Sequence, residues 1–180
     1  MSQKLKYIDL FSGIGGFHIA FNKLKAECVV ASEWNKGAKE TYFSNFKQEP
    51  LGDITKINEK EIPDHDILCA GFPCQAFSIS GKGKGFDDTR GTLFFDIVRI
   101  AKEKKPKVLF LENVANLEKH DGGRTFRVIK EKLEKLGYNF SSKVLNAKDF
   151  GLAQNRRRII MVASLKGSFD FEKVKNSSKK

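Results

Sequence analysis

Short apolar runs alternate with segments of helical period along this chain. Lys6–Leu10 and residues 29–32, 67–70 and 108–111 are brief, nearly continuous apolar stretches of the kind that fill a buried sheet. Between them, Phe17, Ala20, Phe21 and Leu24 recur at the i, i+3, i+4, i+7 spacing of an amphipathic helix. A second helix is expected over residues 38–46. Phe94, Ile97, Val98 and Ala101 make one face of a third, and Phe126, Ile129, Leu133 and Leu136 mark a fourth. A β-rich run over residues 158–163 closes the pattern. Strands alternating with helices predict an α/β domain on a mainly parallel sheet with helices on both faces. Ligands of such sheets bind outside the carboxyl ends of the strands, so the residues that follow each apolar run are the ones to read for chemistry.

The first strand ends in Asp9-Leu10-Phe11-Ser12-Gly13-Ile14-Gly15-Gly16-Phe17. Glycines between a strand and a helix allow a tight turn and close approach of a cofactor to the helix N-terminus. Glu33 follows at about the 20-residue spacing at which such folds hold ribose hydroxyls. Trp34 comes next, an indole that can pack on an adenine face, and Asp53 is an acceptor for an amino group. No G-x-x-x-x-G-K phosphate cradle is present, which favours a nucleoside cofactor without a triphosphate. After the third apolar run stands Gly71-Phe72-Pro73-Cys74-Gln75, where the thiol is either a nucleophile or a small buried hydrophobe. Residues 78–86 carry glycines and lysines with no apolar period. They read as a surface loop or as a segment able to close over a substrate. Glu112-Asn113 ends the next run on the same rim as Cys74. In Gln154-Asn155-Arg156-Arg157-Arg158, strand alternation would put Gln154, Arg156 and Arg158 on one face.

Composition narrows the class. The chain has 180 residues and a formal net charge of +11, enough for one domain and suited to a polyanionic partner. Sixteen Phe against three Tyr and one Trp suit a packed core better than a base-stacking platform. No apolar run reaches the roughly 20 residues that span a bilayer, and no signal peptide opens the chain, so a cytoplasmic protein is expected. Three cysteines without a secretory signal imply reduced thiols, and their spacing lacks the second Cys or His pair of a zinc site. No metal is therefore expected.

Taken in order, the turn at 9–17, Glu33-Trp34, Gly52-Asp53-Ile54, Gly71–Gln75, Glu112-Asn113-Val114 and Gln154-x-Arg156-x-Arg158 resemble the DNA (cytosine-C5)-methyltransferase family, in particular its restriction-modification members. The loop 75–82 and the run 90–97 add to the match, which extends to about Ala163. The resemblance implies an S-adenosylmethionine-dependent, Rossmann-like catalytic domain over residues 1–166 and a polar tail over 167–180. It implies that Cys74 adds to cytosine C6, that Glu112 holds N3 and the exocyclic amine, and that Arg158 and Arg156 hold O2. Phe11, Gly13, Ile14, Gly16, Glu33, Trp34, Asp53, Ile54, Gly71, Pro73 and Leu93 would line the S-adenosylmethionine site. Gln75, Ser78, Ser80, Lys82 and Lys84 would face double-stranded DNA. Family members continue into a target-recognition domain and a last cofactor-contacting motif, so the resemblance implies a truncated catalytic half needing a second polypeptide. The alternatives are a tRNA cytosine-C5 methyltransferase and a catalytically silent fragment that binds DNA or a partner.

Overall fold

The computed structural model describes residues 4–73 and 93–176. Six strands, β1 (Lys6–Leu10), β2 (Glu27–Ser32), β3 (Ile67–Gly71), β4 (Val108–Val114), β5 (Asn139–Asn146) and β6 (Arg157–Ser164), form one sheet in the order β2-β1-β3-β4-β6-β5. β1 pairs in parallel with β2 and β3, and β3 with β4. β6 runs antiparallel to both β4 and β5. It is the one strand of the sheet that points the other way, so its first residues lie at the edge where the parallel strands end.

Strand alternation sorts the side chains onto two faces. Ile8, Leu10, Leu68, Ala70, Leu109, Leu111, Ile159 and Met161 form the larger core with Phe94, Ile97 and Ile100 of α3 (Leu93–Lys104) and Ile129 and Leu133 of α4 (Arg124–Lys135). On the opposite face Tyr7 and Cys69 pack with Phe21 of α1 (Gly16–Asn22). His18 of α1 joins Tyr42 of α2 (Lys36–Phe46) through a 2.6 Å hydrogen bond, which places both helices on that side. α2 starts where the Asn35 side chain accepts from Ala38 N at 3.0 Å. α3 has Asp96 in its first turn and Lys102 and Lys104 in its last, charges that complement the helix dipole.

Three local expectations need correction. α1 ends at Asn22, and Leu24 is 67% exposed rather than part of a buried stripe. The chain reverses there through Lys25 at φ 56°, with Ala26 N–H donating to Phe21 O, so the inward face is Phe17, His18 and Phe21. β5 has no clean apolar alternation, so its sequence alone does not predict the strand that forms there. Residues 154–156 precede β6 instead of forming its first turn of the pleat. There the Asn146 side chain accepts from Arg156 N at 3.0 Å and donates to Asn155 Oδ1 at 2.8 Å.

Within the stretch read as a polar tail, Phe171 is buried and Glu172 pairs with Lys143 of β5 at 2.7 Å. Among the described residues no helix is long and apolar enough to cross a membrane.

Candidate active site

The turn between β1 and α1 is held in an uncommon backbone shape from both sides. Phe11, Gly13 and Gly15 have φ of 57°, 54° and 99°, and a Cβ on Gly15 would lie 2.0 Å from the Phe46 ring. A left-handed Phe is a position that the surroundings must enforce. The enforcing contacts come from the end of β2. Ser12 N donates to Ser32 O at 3.0 Å, and Gly13 N donates to Glu33 Oε2 at 2.9 Å. Asn35 N takes Glu33 Oε1 at 2.8 Å. Glu33 thus shapes the glycine turn before any ligand arrives, and each of its oxygens keeps a lone pair to offer.

A cleft of about 220 Å³ opens beside this turn. Phe11, Glu33, Trp34, Asp53, Ile54 and Leu93 line it, six residues that the sequence assigns to the cofactor site, together with Gly52 of the Gly52-Asp53-Ile54 motif and with Ser32 and Thr55, which it does not single out. Ser32 Oγ donates to Gly52 O at 2.9 Å, and that contact brings the 52–55 segment against β2. Asp53 Oδ1 accepts from Thr55 Oγ1 at 2.8 Å and from Thr55 N at 3.0 Å, and these bonds hold its carboxyl below the usual range. Trp34 is 81% exposed at the rim, an aromatic face open to a ligand among the described residues. Gly13, Ile14 and Gly16 form the turn beside the cleft, with Ile14 exposed. Gly71 and Pro73 stand farther along the rim, at β3.

Asp9, fully buried on β1, has a carboxyl for which neither oxygen finds a hydrogen-bond partner among the described residues. Burial first, and the nearby Glu33 second, push it up to about 8. No local pattern marks it out, because its burial comes from neighbouring strands and from α1.

The other end of the rim is built from β3, β4 and β6. Gly71 is registered against Glu112, and a Cβ on Gly71 would lie 3.5 Å from Glu112 Oε2, so the carboxylate rests over the glycine. Val114 is registered against Arg158, which makes Glu112 and Arg158 diagonal neighbours within reach of long side chains. Arg158 Nε meets Glu112 Oε1 at 2.8 Å, and Arg156 Nη2 approaches it at 3.9 Å. Asn113 is 2% exposed; its amide donates to Phe72 O at 2.9 Å and its oxygen accepts from Val114 N at 2.8 Å. The end of β4 is thereby tied to the residues just before Cys74. Cys74 itself, with Gln75, Ser78, Ser80, Lys82 and Lys84, lies outside the described residues. Among the described residues no cluster of His, Cys, Asp and Glu could hold a metal ion.

Comparison with known proteins gives this arrangement a family. A model of the C-5 cytosine-specific DNA methylases matches residues 5–180. The chain is 61% identical over 158 residues to the type II methyltransferase M.HhaI of Haemophilus parahaemolyticus, covering 88% of this chain and 48% of that protein. It is 56% identical over 176 residues to M1.ScrFI of Lactococcus lactis subsp. cremoris, covering 97% of this chain and 44% of that protein. The chain therefore spans about half the length of these relatives. A prophage-encoded putative DNA modification methyltransferase from E. coli shares the fold at a TM-score of 0.78 and 23% identity, over 97% of this chain and 51% of its own. Fission-yeast Dnmt2 does so at 0.74 and 24%, over 94% and 52%. With the family model spanning nearly its whole length, the chain belongs to the C-5 cytosine-specific DNA methylase family.

Proposed function

We propose that this protein takes part in methyl transfer from S-adenosylmethionine to C5 of a flipped-out cytosine in DNA, in the cytoplasm and as part of a restriction-modification system. The order of groups along the rim carries the reading. The cleft lies at β2, Gly71–Pro73, which precede Cys74 in the sequence, stand at the end of β3, and Glu112 with its arginines stands at β4 and β6, so β3 runs between a nucleoside pocket and an acid–guanidinium pair.

The residues of the cleft fit an adenosine group. Glu33 offers acceptors to a ribose diol, Trp34 an aromatic face, Asp53 its Oδ2, which has only a 3.9 Å approach from Lys56 Nζ, to an amino group, and Phe11, Ile54 and Leu93 apolar walls. When bound, S-adenosylmethionine supplies an electrophilic methyl group. Cytosine C5 is a poor nucleophile until a group adds at C6, and a soft thiolate at Cys74 suits that addition. Glu112 holds a proton at N3 and accepts from the exocyclic amine, while Arg158 turns toward O2. Loss of the C5 proton and departure of Cys74 then restore the aromatic ring. Because C5 is inaccessible in a stacked duplex, the base must be extruded, at a cost of a few kcal/mol.

The relatives are about twice as long, and base-edge reading is assigned to the part they have beyond this stretch, on the same chain or on a second polypeptide. Labelled methyl transfer tests the reading, with the recognition region supplied and nucleosides analysed after digestion. Label in 5-methylcytosine from duplex DNA supports it. Label in tRNA alone would move the substrate to RNA, and no label in either would refute it.

A further inference from the structure

We propose that Arg99 is a positioning residue for the nucleoside cleft, an inference that rests on the cofactor reading above. The wall at 52–55 belongs to a segment without strands, which crosses from α2 to β3 through the short 3-10 turns Ile54–Lys56 and Glu59–Glu61. Asp53 and Asn58 cap those turns locally, but neither cap joins the wall to α3. The first residue of that helix, Leu93, also lines the cleft.

Arg99 of α3 makes the connection. Its Nε donates to Asp96 Oδ1 at 2.8 Å, a bond within the helix that aims the guanidinium. Nη1 then donates to Glu59 Oε2 at 2.7 Å, and Nη2 donates to the carbonyl oxygen of Ile54, the residue that lines the cleft. Two donors of one planar group thus hold the two 3-10 turns to the helix that carries Leu93, while the third fixes the group to that helix. A lysine has no such fork and cannot satisfy three separate acceptors in a plane. Lys104 anchors the far end of the segment through Lys60 O at 3.1 Å and Asp64 at 3.7 Å, away from the cleft. Cutting the Arg99 contacts leaves the segment tied to β2 through Ser32 Oγ and Gly52 O, while Ile54 itself keeps only its own turn and its burial and loses its hydrogen-bonded link to the helix of Leu93.

The test compares the 180-residue wild type with Arg99→Leu, Arg99→Lys and Lys104→Ala. One readout is amide hydrogen exchange in the ligand-free protein, and the other is S-adenosylhomocysteine affinity followed by Trp34 fluorescence. Arg99→Leu should speed exchange at Ile57 and Glu61 and weaken affinity roughly tenfold, with β1 and β3 amides unchanged. Arg99→Lys should recover part of both effects, and Lys104→Ala should leave affinity near wild type. If Arg99→Leu does not fold, Glu59→Gln weakens one branch at the surface by removing its charge and carries the same test at smaller amplitude. Binding by the wild type with unchanged affinity in Arg99→Leu, or in Glu59→Gln when that variant carries the test, overturns this inference alone. Failure of the wild type to bind overturns the cofactor reading and this inference with it.

Discussion

Replacing Asp9 by asparagine removes a fully buried carboxyl without changing its shape, and the effect should depend on pH in a defined direction. The carboxyl titrates near 8 in the folded protein, raised by burial and by Glu33, whereas an aspartate in an unfolded chain titrates near about 3.9. Between those values the folded state keeps a proton that the unfolded chain has released. Its stabilising effect is therefore complete below about pH 4 and is lost as the pH rises through the folded value, at about 1.4 kcal/mol per unit. From pH 6 to pH 8 this one group removes on the order of 2 kcal/mol, or about 4–8 °C in Tm for a chain of this size. His18 and His65, both lowered by burial, give an opposite slope at lower pH. They are common to both proteins and cancel in the difference. Denaturant unfolding of wild type and Asp9→Asn from pH 5 to 9 measures that difference directly. The wild type should lose stability relative to the variant as the pH rises. Parallel curves would refute the buried, proton-bearing state of Asp9.

Gly15→Ala should destabilise by roughly 2–4 kcal/mol, because its Cβ meets a Phe46 ring already stacked on His18 at 3.9 Å and the φ of 99° is left-handed; thermal unfolding checks it. Glu33→Ala should weaken S-adenosylhomocysteine binding by about 1.5–3 kcal/mol in calorimetry, since it removes the acceptor that also shapes Gly13. Arg158→Met should lower methyl transfer on the order of 10²-fold while leaving S-adenosylhomocysteine affinity unchanged, because Arg158 meets Glu112 at β4 and does not line the cleft. A matching loss of affinity would mean that the two ends of the rim are not separate.

Features written in one contiguous stretch were legible in the sequence. The apolar runs of β1, β3 and β4 had nothing to compete with a buried-strand reading, and the glycines after β1 marked a turn that does adopt positive φ. β5 escaped notice because it is an edge strand whose Phe140 and Val144 alone pack on the core, between polar Ser141, Ser142 and Lys143. Leu24 keeps the helical period although the helix has already ended at Asn22, so periodicity outruns the helix. The pairing of Arg156 and Arg158 with Glu112 follows from antiparallel β6 beginning at the rim rather than from alternation along 154–158. Asp9 and Arg99 were opaque for a different reason. The state of Asp9 depends on burial by elements far along the chain, and Arg99 bonds to residues 40 and 45 positions away.

Covalent capture tests the proposed chemistry most directly. A target duplex carrying 5-fluorocytosine is incubated with S-adenosylmethionine and the protein, with the recognition region supplied, and the adduct is mapped by peptide mass spectrometry. Fluorine at C5 blocks the final elimination, so the account predicts a stable link on the peptide containing Cys74, dependent on S-adenosylmethionine and absent in Cys74→Ser. An adduct on another residue, or undiminished capture by Cys74→Ser, would contradict it.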